Sequence, residues 1–206
     1  MKGIGGEAVA VLADVTDEAS AEAAVAHVVD HFGAVDILVN AVGGSTIIER
    51  PNATLDELSF DDWQKLIAFN LSGTFLFCHA VIPLMKQRKS GKIVNLASIA
   101  GRGLSVASSG AYATAKGGII ALTKKLSLEL GPFGINVNAI APSRTLTERI
   151  RQRFSQQSPE DQAAEIERVP LRRMAEASDQ AKVICFLASS DADYVTGLTI
   201  DVTGGL

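Results

Sequence analysis

Apolar positions in this chain fall into two alternating kinds of run. The first kind is short and nearly continuous, at residues 7–15 (Glu-Ala-Val-Ala-Val-Leu-Ala-Asp-Val), 35–42, 92–97, 135–141 and 198–202. Such a run has no polar face, so it predicts a strand covered on both sides. The second kind keeps helical spacing. Val25, Val28, Val29 and Phe32 follow a Thr16-Asp17-Glu18 start and stop at Gly33, an order that matches cap chemistry at one end and a glycine terminator at the other. Ser59, with Asp62 three residues on, predicts the start of a long helix bearing Trp63, Leu66, Ile67, Asn70, Thr74 and Phe77 along one face. Asn70 is the odd member, because an amide in a buried stripe must find hydrogen-bond partners. A further helix opens at Ala111, after Gly110, and runs to Leu130 before Gly131-Pro132. A last one is predicted behind a Ser178 cap, with Ala181, Ile184 and Leu187 inward.

Strands that alternate with helices define an α/β fold: a doubly wound parallel sheet with helices on both faces. No repeat, linker or low-complexity stretch interrupts it, so residues 1–206 read as a single domain. Residues 143–177 are polar and charged, and they predict a loop with one or two short helices over a site. Ligands of such sheets bind beyond the C-terminal strand ends, which here place Asp14, Asn40, Ser98 and Pro142 together.

Composition narrows the function. The 206 residues are 47% hydrophobic and 20% charged, with a net charge of −4 and no basic cluster, which argues against nucleic acid or an anionic membrane as partner. No apolar run approaches membrane-spanning length and the N-terminus has no signal-peptide layout, so the expectation is a cytoplasmic protein. Cys78 and Cys185 both sit in apolar helical patterns and read as buried free thiols. His27, His31 and His79 have no metal-ligand company, so no metal site is expected.

Tyr112 and Lys116 carry the candidate chemistry. Four residues apart on a helix, the phenol and the ammonium share a face. A fixed positive charge beside a phenol favours phenolate, which suits a general acid/base near neutral pH. The same spacing also arises by chance on a solvated helix, so its meaning depends on what aligns with it.

Several motifs do. Ser98 ends the strand Leu96-Ala97-Ser98 upstream of Tyr112. Phe69-Asn70-Leu71, Ala13-Asp14-Val15, Val39-Asn40-Ala41-Val42-Gly43, Ile140-Ala141-Pro142-Ser143 with Thr147, Tyr194-x-x-Gly197 and Val202-Thr203-Gly204-Gly205 follow in order. With these the chain resembles the short-chain dehydrogenase/reductase family, from about Gly5 to its end. The resemblance implies an NAD- or NADP-dependent oxidoreductase that interconverts an alcohol and a carbonyl compound, such as a 3-oxoacyl substrate. It implies a catalytic set of Asn70, Ser98, Tyr112 and Lys116. Tyr112 would move the proton, Ser98 would hold the reacting oxygen, Lys116 would lower the Tyr112 pKa and hold the nicotinamide ribose, and Asn70 would anchor a relaying water. The implied cofactor-binding set is Asp14, Val15, Asn40, Ala41, Tyr112, Lys116, Ser143, Thr145 and Thr147. Asp14 would meet the adenine and Thr147 the carboxamide. A small-molecule substrate and a homo-oligomer, tetramer or dimer, complete the picture, with the helices around 63–85 and 112–130 pairing between subunits.

The pattern departs from the family at its start. The usual opening strand, Thr-Gly-x-x-x-Gly-x-Gly turn, helix and second strand are not found. Gly3-Ile4-Gly5-Gly6 imitates the turn, but the run 7–15 follows with no helix between. The sequence is therefore read as an N-terminally truncated Rossmann-like sheet of about five strands. Its first two surviving strands would face a gap two strands wide, leaving backbone groups unpaired, so the expectation is either that the remaining strands close up or that the working protein has residues this sequence lacks. Ala41 stands where a second Asn is usual, Ser143 where Gly is usual, and Thr145 where an aliphatic residue is common. The alternative is a non-catalytic relative that folds and oligomerises without binding a dinucleotide.

Overall fold

The computed structural model describes residues 5–105 and 107–206. Met1–Ile4, including the Gly3-Ile4 half of the imitated glycine turn, and Val106 lie outside that description. Four parallel strands form the sheet in the order β1 (Ile37–Asn40), β2 (Gly91–Leu96), β3 (Ile135–Pro142) and then β6 (Thr199–Val202). Register is continuous across it: Val39 lies opposite Val94, Val94 opposite Asn138, and Ile140 opposite Ile200.

Alternation along β2 and β3 separates two cores. Ile93, Ile135 and Val137 face α1 (Glu18–Phe32), α3 (Gly73–Arg88) and α4 (Gly110–Leu130), meeting Val25, Cys78, Val81, Met85, Leu126 and Leu130. Val94 and Ile140 face the other way, onto Leu187 of α7 (Ala177–Ala188) and Ala192. Helices on both faces of a parallel sheet give the expected doubly wound fold, and its continuous apolar strands follow from that double cover.

The helix starts follow their cap chemistry. The Asp17 carboxylate accepts from Ser20 N, and Ser59 Oγ accepts from Asp62 N to open α2 (Phe60–Ile67). The start of α7 differs from expectation. Glu176, not Ser178, is the cap, paired reciprocally with Asp179, which is held in turn by Arg173. The region 143–177 folds as β4 (Thr145–Leu146), α5 (Glu148–Ser155), α6 (Pro159–Arg168) and β5 (Ala175–Glu176), with β4 and β5 paired in a small separate sheet.

Three expectations need correction. Residues 7–15 carry no ladder, and Val15 already belongs to a turn, so four strands rather than five form the main sheet. Among the described residues no strand pairs with the outer edge of β1. The segment instead faces β1 across an apolar cleft of about 430 Å³, lined by Val9, Val11, Val15, Val39, Phe69 and Phe77 among others. Apolar pattern alone cannot make a strand where backbone partners are out of reach. Cys185 is exposed, because α7 presents that position outward, whereas Cys78 is buried as expected. Finally, α2 and α3 join through a π turn, Ala68–Ser72, into one helix from Phe60 to Arg88 whose apolar window reaches membrane-span length (mean hydropathy 1.6). In this fold its Leu66, Cys78, Val81 and Met85 belong to the core.

Candidate active site

The C-terminal ends of β1, β2 and β3 open on a cleft of about 360 Å³. Ala41, Ser98, Tyr112, Lys116, Ser143, Thr145 and Thr147 all line it, so seven of the expected residues meet in one place. Asn70 stands immediately behind, hydrogen-bonded to the Gly44 backbone of the loop that lines the cleft.

Lys116 defines the floor of the site. Its side chain is buried, 3% exposed, and Nζ donates to the Leu96 carbonyl at 2.7 Å. Desolvation of the ammonium lowers its pKa from 10.5 to about 8. Asn70 reaches the same point from the π turn. Its Oδ1 accepts from Gly44 N at 2.9 Å, while Nδ2 donates to Gly44 O and Leu66 O, each at 3.0 Å. A π turn puts one extra residue into a helical turn and is often found at functional positions. Here it holds a buried amide on the Gly43-Gly44 loop. Gly43 is the meeting point, since a Cβ there would stand 2.8 Å from Asn70 Oδ1 and 2.9 Å from Lys116 Nζ.

Tyr112 sits one turn before Lys116, with the lysine nitrogen 5.8 Å from its ring centroid. Ser109 Oγ caps this helix by accepting from Tyr112 N. The Ser98 turn packs against the same helix at its first turns, through glycine. A Cβ on Gly101 would lie 2.6 Å from Gly117 N and from the Lys116 carbonyl carbon, so only glycine permits this approach. Arg102 anchors the far side of the turn to β6 through Asp201 and the Thr199 carbonyl. Burial raises the Tyr112 pKa, and a hydrogen bond with Ser98 opposes that rise. The lowering expected from Lys116 is thus a correction: desolvation of the phenol prevails here, and the same desolvation weakens the cation beside it.

The remaining expected residues lie apart from this cleft. The Asn40 side chain turns inward, donating to Asn95 Oδ1 at 2.9 Å and to Cys78 Sγ, while Asn95 donates to Thr123. Through its Nδ2 the carboxamide braces the sheet against α3 and, by way of Asn95 and Thr123, against α4. Asp14 and Val15 belong to a neighbouring hollow with Leu12, Ser20, Val42 and Phe69. Asp14 is exposed and accepts from the Thr16 hydroxyl and N–H, which lower its pKa. Two contributors escaped sequence reading: Gly101 and Gln180. Gly43 was legible as the end of a strand motif, but its approach to Lys116, like that of Gly101 to Gly117, is a close contact that no local pattern announces. Gln180 lies on the α7 face that borders the cleft, alongside Ala177, Ala181 and Ile184, and the helical period could have placed it there.

The chain is similar to known proteins in sequence and in fold. The family model described as enoyl-(acyl carrier protein) reductase matches residues 1–206. Levodione reductase of Leifsonia aquatica is 36% identical over 204 residues, 97% of this chain and 74% of its own length. The crystal structure of a 3-oxoacyl-[acyl-carrier protein] reductase with bound NAD, from Brucella melitensis, superposes with a TM-score of 0.86 at 36% identity, covering 100% of this chain and 74% of that one. ElxO with NADP bound gives a TM-score of 0.84 at 32% identity over 93% and 75% of the two chains. This chain belongs to the short-chain dehydrogenase/reductase family, a family of oxidoreductases that work with NAD or NADP.

Proposed function

We propose that the chain interconverts a small alcohol and its ketone or aldehyde, with Asn70, Ser98, Tyr112 and Lys116 as the working residues and a 3-oxoacyl compound as the substrate class to try first. The observation that carries this reading is the buried Lys116 ammonium, pinned to the Leu96 carbonyl one helical turn from Tyr112 in the cleft that also holds Ser98. A structural lysine has no reason to be buried without a carboxylate; a lysine that serves a phenol does.

The site fits a nicotinamide nucleotide: Gly43 lets the backbone come close to Lys116, and hydroxyls of Ser143, Thr145 and Thr147 line one wall. Bound there, the nicotinamide supplies or accepts the hydride. In the oxidising direction the Tyr112 phenolate takes the proton from the substrate hydroxyl while Ser98 donates a hydrogen bond to the same oxygen. In reduction Tyr112 returns the proton to that oxygen. Lys116 would hold the ribose hydroxyls of the bound nucleotide. Asn70 is a positioning residue that keeps Gly43-Gly44 against Lys116, and its Oδ1 keeps a lone pair for a relaying water. The non-catalytic alternative finds no support among the relatives named above. Exposed Phe75 on α3 and Leu128 on α4 support association of this chain with itself through those helices.

Fluorescence titration with NADH and NADPH, then a carbonyl substrate screen, tests the reading. Saturable binding is expected, and Tyr112→Phe should keep that binding while lowering turnover by roughly 10²–10⁴-fold. A folded chain that binds neither nucleotide refutes it.

A further inference from the structure

Gln180 is 7% exposed and borders the cleft. Its Nε2 donates to Thr145 Oγ1 and to the Val202 carbonyl, each at 3.2 Å. Both partners can only accept there. The carbonyl has no proton, and the Thr145 hydroxyl spends its own on the Ser143 carbonyl at 3.1 Å. The amide orientation is therefore fixed by chemistry, with both N–H bonds used. Its Oε1 is left buried with no hydrogen-bond partner among the described residues. The other such side-chain oxygen, Gln157 Oε1, belongs to the turn between α5 and α6 and borders no part of the cleft.

A buried acceptor without a donor is costly, and it is kept only where something provides the donor. On the same wall, Thr147 caps α5 by accepting from Ile150 N, which leaves its hydroxyl proton free to donate. One free donor and one free acceptor on a single wall match a primary carboxamide, which has a carbonyl oxygen and an NH₂. We infer that Gln180 is a positioning residue for the nicotinamide: Oε1 accepts from the carboxamide NH₂ while the Thr147 hydroxyl donates to its oxygen. The inference rests on the dinucleotide reading of the cleft. Gln180 would then fix the rotation of the ring, and so the face it offers to the substrate, without touching the reacting atoms.

Equilibrium binding separates this role from a structural one. The probes are NAD or NADP, whichever binds, and its 3-acetylpyridine analogue, in which a methyl group replaces the NH₂. Wild type should bind the carboxamide form more tightly than the acetyl form. In Gln180→Met, a near-isostere without the acceptor, that preference should shrink about fivefold, the size of one net hydrogen bond. A structural role would weaken both nucleotides alike and leave the preference unchanged. Gln180→Leu serves as the second variant, with thermal melts to show that each is folded. An unchanged preference in a folded variant overturns the inference and leaves the dinucleotide reading intact. Failure of wild type to bind either nucleotide overturns both.

Discussion

Lys116 sets a pH signature that can be measured without any ligand. Its folded pKa, about 8, lies below the 10.5 of an unfolded lysine. Below about pH 8 the folded chain carries a desolvated ammonium that the unfolded chain keeps in water, so the full cost is present. Between about 8 and 10.5 the unfolded chain binds more protons, and stability rises with pH. The difference amounts to on the order of 3 kcal/mol. Urea midpoints of wild type should therefore climb relative to Lys116→Met from pH 7.5 to pH 10, and parallel curves would show that the ammonium is not desolvated. The identities and shared face of Tyr112 and Lys116 were legible from their spacing. The direction of the Tyr112 shift was not, because it depends on how much protein surrounds the phenol. Asn70 was legible as an oddity in an apolar stripe, and its partner Gly44 emerged only with the π turn.

At the scale of elements, the site is an assembly of close approaches. The π turn meets α4 at Gly118, where a Cβ would stand 2.8 Å from Leu71 Cδ2, and the Gly43-Gly44 loop meets both Asn70 and Lys116. Gly43→Ala is expected to lower turnover on the order of 10²-fold, since small misplacements of a catalytic group cost that much. Its melting temperature should fall only modestly, because the loop can shift outward. A variant with native turnover would show that the loop does not set the Lys116 position. Helix starts at Asp17 and Ser59 and the span of α4 were readable from local chemistry. Residues 7–15 were not, since a strand needs a neighbour and the apolar pattern describes only its faces. The start of α7 was missed because Glu176 caps through a side chain that Ser178 made easy to overlook.

For the molecule as a whole, exposed apolar side chains are spread over several elements, among them Phe75 on α3, Leu128 on α4, and Ile37 and Val39 on β1. Leu128 is 65% exposed and Phe75 48%, on the helices expected to pair between subunits. The self-association proposed above predicts that Leu128→Glu with Phe75→Asp lowers the mass seen in light scattering toward that of a monomer, and an unchanged mass would count against these helices as the contact. The doubly wound architecture was legible from alternating runs, whereas the composition of each face awaited the register of the sheet.

Cys78 and Cys185 together form a pair of clocks. The Cys78 thiol is packed between α3 and the sheet, and burial pushes its pKa up to about 12. Thiolate is the species that alkylating reagents attack. An alkylating reagent should therefore mark Cys185 within the reagent's own reaction time, and Cys78 only when the core between α3 and the sheet comes apart. Timed mass spectrometry would thus give the rate of that opening from a residue nature has already installed, with the exposed thiol on α7, across the sheet, as internal calibration.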